Sequence, residues 1–118
     1  MSLKVYHYDK CGTCQKARKW LDEQGMEYKL VPIREKPPTK KDLRTAAKQL
    51  GGTKKLFNSS GQEYRRLNLK EKLPEMGEKE RIDLLASNGS LVKRPFVVGD
   101  GVALVGFKED EWKAALKG

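Results

Sequence analysis

The chain of 118 residues has two cysteines, Cys11 and Cys14, which are separated by two residues in the sequence CGTC. A pair with this spacing is able to form a structural disulfide, to supply two ligands to a metal ion, or to act as a redox couple. Each use needs different surroundings, so the elements that carry the two cysteines decide among them.

The sequence disfavours a structural disulfide because closing so short a loop stabilises a fold little. The cytoplasm, where thiols stay reduced, is also the expected compartment. No apolar run is long enough to span a membrane, and MSLKVYHY lacks the apolar stretch of a secretory signal. A structural zinc site usually has four ligands, so zinc would need His7, a carboxylate or a second chain as well, and His7 is interpreted as an ordinary strand residue. Redox chemistry, without a metal or bound cofactor, is therefore the main prediction.

The residues around the cysteines predict a strand, a helix and a second strand. Residues 3–8 alternate apolar and polar side chains, and residues 26–33 are a second run rich in strand formers. Between them lies a helical pattern that Gly25 is expected to stop. Its apolar stripe consists of Cys14, Ala17, Trp20 and Leu21. Such a βαβ unit predicts parallel strands joined by a right-handed crossover.

The middle of the chain, residues 37–92, is predicted to be helical. Thr39 is a good N-cap for a helix that ends at Gly51-Gly52. A short helical turn at residues 54–57, a loop at NSSGQ and a further helix at residues 78–86 follow.

The last part of the chain predicts a hairpin of FVV and VALV, turned by Gly99-Asp100-Gly101, and then a helix in KEDEWKAALKG with Lys117 in its last turn. The order is thus β-α-β, a helical block, and β-β-α. This order predicts an α/β, thioredoxin-like fold with a four-stranded mixed sheet in a single domain. The halves of the fold would be residues 1–36 and 93–118, with residues 37–92 as an all-helical insertion.

In this fold Cys11 precedes the first helix and Cys14 lies one turn inside it. Residues three apart share a helix face, and a Cα separation of about 5–6 Å suits a disulfide. Free backbone N–H groups at a helix start stabilise a thiolate. This effect should lower the pKa mainly of Cys11. Gly12 would let a partner approach the sulfur, and Thr13 offers a hydroxyl beside it. The prediction is thiol–disulfide exchange, in which Cys11 attacks the substrate and Cys14 then closes a disulfide with Cys11.

The net charge of +9 is spread along the chain, and most Lys and Arg residues stand near Asp or Glu. A solvated surface of mixed charge explains this distribution, and a weak site for an acidic partner is the alternative. Neither zinc-finger spacing nor an aromatic RNA-binding signature is present, so direct nucleic-acid binding is not expected.

The stretch RPF contains Arg94 and Pro95 at the start of a predicted strand. From the local sequence alone, the Arg94–Pro95 bond is predicted to be trans, since few X–Pro bonds are cis. Taken alone, Arg94 would be a surface charge.

Several segments together resemble the ArsC/Spx family of thioredoxin-fold proteins, and in particular its small YusI-type, Spx-like members. These segments are CGTC, PPTKKDL, NSSGQEYRRLNLKEKL, VKRPFVV and VGFKEDEW. The resemblance extends from Tyr6 to Trp112. It implies that Pro95 is cis beside the cysteine loop and that Arg94 points toward the Cys11 sulfur.

Arsenate reductases of this family use the cysteine that matches Cys11 and three arginines that hold the oxyanion. Arg94 matches one of these arginines, but Asn58 and Gly106 stand where the other two are expected. Losing two guanidinium groups removes charge-assisted contacts to an anion. The resemblance therefore implies an arsenate-reductase-like enzyme that does not reduce arsenate itself.

The expected function is a cytoplasmic, monomeric thiol–disulfide oxidoreductase that acts on a disulfide or an oxyanion. The expected catalytic residues are Cys11, Cys14 and Arg94, and the expected substrate-binding residues are Gly12, Thr13 and Pro95. Thioredoxin, glutaredoxin or glutathione would supply the electrons. The alternative that the resemblance leaves open is a redox-sensing regulator, like Spx, that binds RNA polymerase.

Overall fold

A computed structural model describes residues 3–99 and 101–117 and contains a four-stranded mixed sheet in the order β2-β1-β3-β4. The strands are β1 (Leu3–His7), β2 (Tyr28–Pro32), β3 (Phe96–Gly99) and β4 (Val102–Val105). β1 pairs with β2 in parallel and with β3 antiparallel, and β3 pairs antiparallel with β4. The predicted α/β fold with a mixed sheet is confirmed.

The first helix, α1 (Gly12–Glu23), connects the two parallel strands. Its buried residues are those of the predicted apolar stripe, namely Cys14, Ala17, Trp20 and Leu21. The helix ends two residues before Gly25, whose φ of 68° is the left-handed conformation that glycine adopts without strain. The local sequence thus accounts for the buried face and the end of the helix that follows Cys11 and contains Cys14.

A helical segment, residues 37–92, follows β2. Its helices are α2 (Lys40–Leu50), α3 (Gln62–Arg66), α4 (Leu69–Lys72) and α5 (Glu78–Ser87). Three 3-10 turns, Lys54–Leu56, Leu73–Glu75 and Gly89–Leu91, lie between and after them. Thr39 caps α2 as predicted, because its hydroxyl accepts a hydrogen bond from the Asp42 amide at 3.1 Å. The sequence pattern did not predict α3 and α4, which are only five and four residues long.

The last helix, α6 (Glu109–Lys117), packs beside β4. Of the elements predicted for this region, Asp100 in the hairpin turn and the side chain of Lys117 lie outside the described residues. Within the described residues, no helix has the length and apolar character needed to cross a membrane.

Side chains alternate between the two faces of the sheet, so the strands divide the interior into two cores. The α1 face joins the sheet to α1 and α6 through Leu3, Val5, Ala17, Trp20, Leu21, Val97, Leu104 and Trp112. The opposite face packs against the helical segment, and its contributions from the strands are Tyr6, Val31, Phe96, Val98 and Ala103. Because β1 and β2 are parallel, the loops before α1 and after β2 leave the sheet at the same end.

Candidate active site

Cys11 lies at the N-cap position of α1, with φ and ψ of −93° and 113°. Its amide donates to the carbonyl of Tyr8 at 3.0 Å, and its carbonyl accepts from the amide of Gln15 at 3.2 Å. The sulfur therefore stands beside the first-turn N–H groups, which have no partner within a helix. This position is the one at which a helix favours negative charge.

The two thiols are free and differ in exposure, since Cys11 is half-buried and Cys14 is buried. Burial raises the pKa of the Cys11 thiol, but the amide and thiol of Cys14 and the guanidinium of Arg94 together lower this pKa below its ordinary value. Burial, together with the neighbouring Cys11, raises the pKa of Cys14 to about 12. Cys11 is thus the thiol that ionises first, and Cys14 keeps its proton.

Arg94 is the charged side chain that lowers the pKa of Cys11, and the peptide bond between Arg94 and Pro95 is cis. The cis bond agrees with the family resemblance, and the trans bond predicted from the local sequence is wrong. Arg94 is half-buried rather than a free surface charge, and its Nε and Nη1 atoms are buried without a hydrogen-bond partner among the described residues. Such unpaired donors carry a desolvation cost that a bound acceptor would offset.

A cleft of about 890 Å³ opens at Cys11 and is walled by several separate parts of the chain. The start of α1 contributes Cys11 and Thr13, and the segment before β3 contributes Lys93 and Arg94. Arg34 after β2, the helical segment, and the end of β4 with its following loop supply the remaining wall. From the last two the wall includes Asn58, Ser60, Gly61, Gln62, Glu63, Ser90, Val105, Gly106, Phe107 and Lys108. Cys11 and Arg94, the first residue of the RPF stretch, therefore meet in one cavity.

The predicted substrate-binding residues are not all on the cleft wall. Thr13 lines the cleft, whereas Gly12 is exposed beside it and Pro95 is buried behind it. A Cβ atom placed on Gly12 meets nothing within 4 Å, so the backbone there is open to an approaching molecule. His7 lies in β1, as predicted, with its Nδ1 atom 3.5 Å from the Asp9 carboxylate.

Asn58 and Gly106, the two residues that replace the expected arginines, both line the same cleft as Arg94. Gly106 has a φ of 67°, and its carbonyl accepts a hydrogen bond from the indole of Trp112 at 3.1 Å. A Cβ atom at this position would lie 3.1 Å from Cε of Lys93. The lysine side chain thus fills the space into which a side chain at 106 would extend.

Glu63 is the carboxylate of the described cleft wall, and it is already engaged. It accepts two hydrogen bonds from Arg66, at 2.8 and 3.0 Å, and one from the Asn88 amide at 3.0 Å. These contacts, with Arg66 as the main cause, lower the pKa of Glu63 to about 2. The carboxylate stays ionised at neutral pH, and the hydrogen bonds that it accepts come from Arg66 and Asn88, with Arg34 adding a smaller through-space effect.

The sequence analysis missed Tyr8 and Arg34. The guanidinium carbon of Arg34 lies 4.0 Å from the centroid of the Tyr8 ring, and that of Arg94 lies 5.0 Å from the same centroid. Tyr8 directly follows β1, and Arg34 follows β2 by two residues. Because β1 and β2 are parallel, residues after both strands lie at one edge of the sheet, and this rule would have placed them near Cys11.

No three histidine, cysteine, aspartate or glutamate side chains gather into a metal-binding set within residues 3–99 and 101–117. Cys11 and Arg94 line the described cleft, and the buried Cys14 lies three residues further along α1. The four-stranded mixed sheet and the two cysteines at the start of the helix after β1 define a thioredoxin-like protein with a CxxC pair.

Comparisons with known proteins identify the family. The ArsC family model matches residues 6–115, and the chain belongs to this family. It is 51% identical over 114 residues to the uncharacterized protein YusI of Bacillus subtilis, covering 96% of this chain and 97% of that protein. It is 28% identical to the global transcriptional regulator Spx of Enterococcus faecalis, covering 97% of this chain and 86% of Spx. An ArsC family related protein from Bacteroides fragilis superposes with a TM-score of 0.91 at 46% identity, with 98% of each chain covered.

Proposed function

We propose that this protein is a thiol–disulfide oxidoreductase of the ArsC family that works in a reducing cytoplasm. The observation that carries the proposal is the asymmetry of the two neighbouring thiols, of which Cys11 lines the cleft and Cys14 is buried. Cys11 is accessible and has a lowered pKa, whereas Cys14 is buried and has a pKa of about 12. A nucleophile must be a thiolate, and a resolving thiol is best held protonated until it is needed.

In the first step, the Cys11 thiolate attacks one sulfur of a substrate disulfide, and a mixed disulfide forms as the other half leaves as a thiolate. Cys14 then loses its proton to the leaving group or to water and attacks the Cys11 sulfur. The second half of the substrate leaves, and Cys11 and Cys14 are joined. The protein has given two electrons and the substrate has gained two, so an external thiol such as thioredoxin, glutaredoxin or glutathione must restore the dithiol.

The other proposed site residues act around this exchange. Arg94 would stabilise the Cys11 thiolate and hold an anionic part of the substrate, and Thr13 would offer a hydroxyl to the bound molecule. Gly12 would allow close approach to the sulfur, and Pro95 would shape the cleft floor from behind. With Asn58 and Gly106 at the cleft wall, Arg94 lacks the two partner arginines expected for arsenate, so a disulfide is the proposed substrate.

The proposal is tested by mixing the reduced protein with bis(2-hydroxyethyl) disulfide and following the masses of acid-quenched samples. The wild-type protein should reach the intramolecular disulfide, and Cys14→Ser should stop at a mixed disulfide on Cys11. Cys11→Ser should not react over the same interval, because the Cys14 thiol is buried and protonated. Adduct formation at Cys14 in Cys11→Ser at the wild-type rate would overturn the assignment of the nucleophile.

The similarity to Spx supports a second candidate, a redox-sensing regulator that binds RNA polymerase. In that case oxidation of Cys11 and Cys14 would change a surface that contacts the polymerase. The two candidates differ in one measurement: a regulator should bind purified polymerase with an affinity that changes on adding dithiothreitol, and should show no catalytic turnover with a thiol donor. Turnover without redox-dependent binding favours the enzyme.

A further inference from the structure

The cleft at Cys11 carries more positive charge than stabilising one thiolate requires. Among the described residues, its wall has four cationic side chains and the carboxylate of Glu63. The cationic residues are Arg34, Lys93, Arg94 and Lys108. With Cys11 as a thiolate, a net positive charge still remains, and a low-dielectric cleft of one sign attracts ligands of the opposite sign.

Arg34 contacts an aromatic ring at this cleft, and the Glu63 carboxylate acts on it only through space, without a direct ion pair within the described residues. At 4.0 Å from the Tyr8 centroid its guanidinium is within the range of a cation–π contact, and Arg94 lies over the same ring at 5.0 Å. A ring contact leaves the N–H donors of a guanidinium available, whereas a salt bridge would occupy them. Tyr8 therefore brings two guanidinium groups to one end of the cleft.

Lys93 adds a third charge, and its position depends on Gly106. Because Gly106 has no side chain, Cε of Lys93 comes within 3.1 Å of the Cβ position there, and Nζ lies 3.8 Å from it. The lysine stem is thus laid across the loop after β4, and its ammonium group stays at the cleft. The neighbouring Arg94 keeps two buried nitrogens, Nε and Nη1, without a partner among the described residues.

The carboxylate within the described wall does not supply that partner. Glu63 accepts hydrogen bonds from Arg66 and Asn88. Among the described residues Glu63 accepts no hydrogen bond from Arg34, Lys93 or Arg94, so the donors of these side chains that Cys11 does not use remain for a molecule that enters the cleft. That molecule must carry an acceptor with negative charge, and it must present a sulfur to Cys11.

We propose that the substrate is a disulfide whose sulfur is joined to a carboxylate-bearing group, and that Arg34 and Lys93 are the residues that select for this charge. This inference rests on the proposed oxidoreductase function and names its substrate class. Cys11 attacks the sulfur of the anionic disulfide, one carboxylate-bearing thiolate leaves, and Cys14 displaces the second while giving up its proton. The two thiols released carry the two electrons that the protein has lost.

The test compares three disulfides of the same length and different charge in single-turnover reactions with the reduced protein. They are 3,3′-dithiodipropionate, bis(2-hydroxyethyl) disulfide and cystamine, which are anionic, neutral and cationic. Each rate constant is divided by that of free 2-mercaptoethanol with the same disulfide, which removes intrinsic differences in reactivity. We expect the anionic compound to react at least about tenfold faster than the cationic one at low ionic strength, and this preference to shrink in high salt.

Arg34→Gln and Lys93→Gln should each reduce the ratio of anionic to neutral rates by about three- to tenfold. The control is Arg44→Gln, which removes the same charge from an exposed position on α2 outside the cleft and should leave the ratio unchanged. If none of the three disulfides reacts with the wild-type protein, the proposed function itself is wrong. Reaction of all three disulfides without a charge preference would overturn only the present inference, and so would an equal loss in Arg44→Gln.

Discussion

The two faces of the sheet are built differently and contribute different parts of the site. The α1 face packs around an aromatic cluster in which the Phe107 and Trp112 centroids are 5.0 Å apart and Trp20 lies 6.2 Å from each. The opposite face is mainly aliphatic and packs the helical segment through residues such as Leu43, Leu56, Leu85 and Leu91. The α1 face holds the cysteines, and the helical segment forms a wall of the cleft.

The residues that set the pKa of Cys11 are therefore largely separate from the residues that surround a bound molecule. The pKa of Cys11 depends on the start of α1 and on Arg94, both of which border the sheet. The helical segment adds Asn58, Ser60 and Glu63, which surround whatever molecule reaches the sulfur. Changes within the helical segment should therefore alter folding and the shape of the cleft more than the intrinsic reactivity of the thiol.

Long-range backbone hydrogen bonds hold the end of the helical segment against its middle, just before β3 begins. The Asn58 amide donates to the Leu91 carbonyl at 2.7 Å, and the Lys93 amide donates to the Leu56 carbonyl at 2.7 Å. Gly89 packs so closely on the end of β2 that a Cβ atom there would be 1.8 Å from the carbonyl oxygen of Ile33. The backbone must separate for any side chain to fit at this position.

The largest expected effect is accordingly that of Gly89→Ala. We expect it to lower the free energy of unfolding by at least about 4 kcal/mol, because the clash is with backbone atoms that cannot rotate away. Urea denaturation followed by circular dichroism measures the loss. Gly77→Ala is the control, since a Cβ atom there meets nothing within 4 Å, and it should stay within about 1 kcal/mol of the wild type.

The next effect compares the two cores directly. Leu21 on α1 and Leu85 on α5 are both fully buried, and replacing either by alanine should cost about 3 kcal/mol. Their consequences for Cys14 should differ, because Leu21 lies on the helix that holds Cys14. Labelling of Cys14 under native conditions should be faster in Leu21→Ala than in Leu85→Ala at matched stability, as measured by mass spectrometry. Equal labelling would mean that the two faces open together.

A smaller effect is expected from Arg94→Gln. The lowered pKa of Cys11 keeps its thiolate populated as the pH falls below the ordinary thiol value, and removing the guanidinium should raise that pKa. Alkylation of Cys11 by iodoacetamide at pH 6 should then slow by about five- to twentyfold, with little change at alkaline pH. The alkylation rate of Arg94→Lys should lie between those of the wild type and Arg94→Gln, since lysine keeps the positive charge but lacks the paired N–H donors of the guanidinium.

The smallest effect is expected at the start of α2. Thr39→Ala removes the cap hydrogen bond to the Asp42 amide and should cost about 1 kcal/mol without changing Cys11 alkylation. Thr45→Ala is the matched control within the same helix and should not lower the free energy of unfolding. The Thr45 hydroxyl only donates back to the Lys41 carbonyl, and alanine is the better helix former. A change in Cys11 reactivity in Thr39→Ala would contradict the separation of the two faces.

Local patterns in the sequence predicted the elements that carry the nucleophile. The apolar stripe of α1, its glycine stop and the Thr39 cap all depend on residues within one or two turns. The short helices α3 and α4 escaped prediction because they are held by packing on the core, through residues such as Leu69, and not by their own periodicity.

The cleft was less predictable, because its walls come from distant segments. Arg34 and Lys93 each look like surface charges in sequence, and only the chain's path brings them to Cys11. The cis bond before Pro95 likewise depends on its tertiary setting, and the family resemblance supplied what the local sequence did not. Tyr8 was within reach of prediction, since it directly follows a strand whose parallel neighbour was already recognised.

The central claim is that the fold makes Cys11 an accessible thiolate while it keeps Cys14 protonated. The most direct test is the pH dependence of iodoacetamide alkylation for each thiol of the reduced, folded protein, resolved by peptide mass spectrometry. The account predicts that Cys11 reacts with a midpoint below the ordinary thiol pKa, and that Cys14 stays unlabelled until the pH approaches about 12 or the chain unfolds. Two thiols that titrate together, or a Cys11 midpoint at or above the ordinary value, would contradict it.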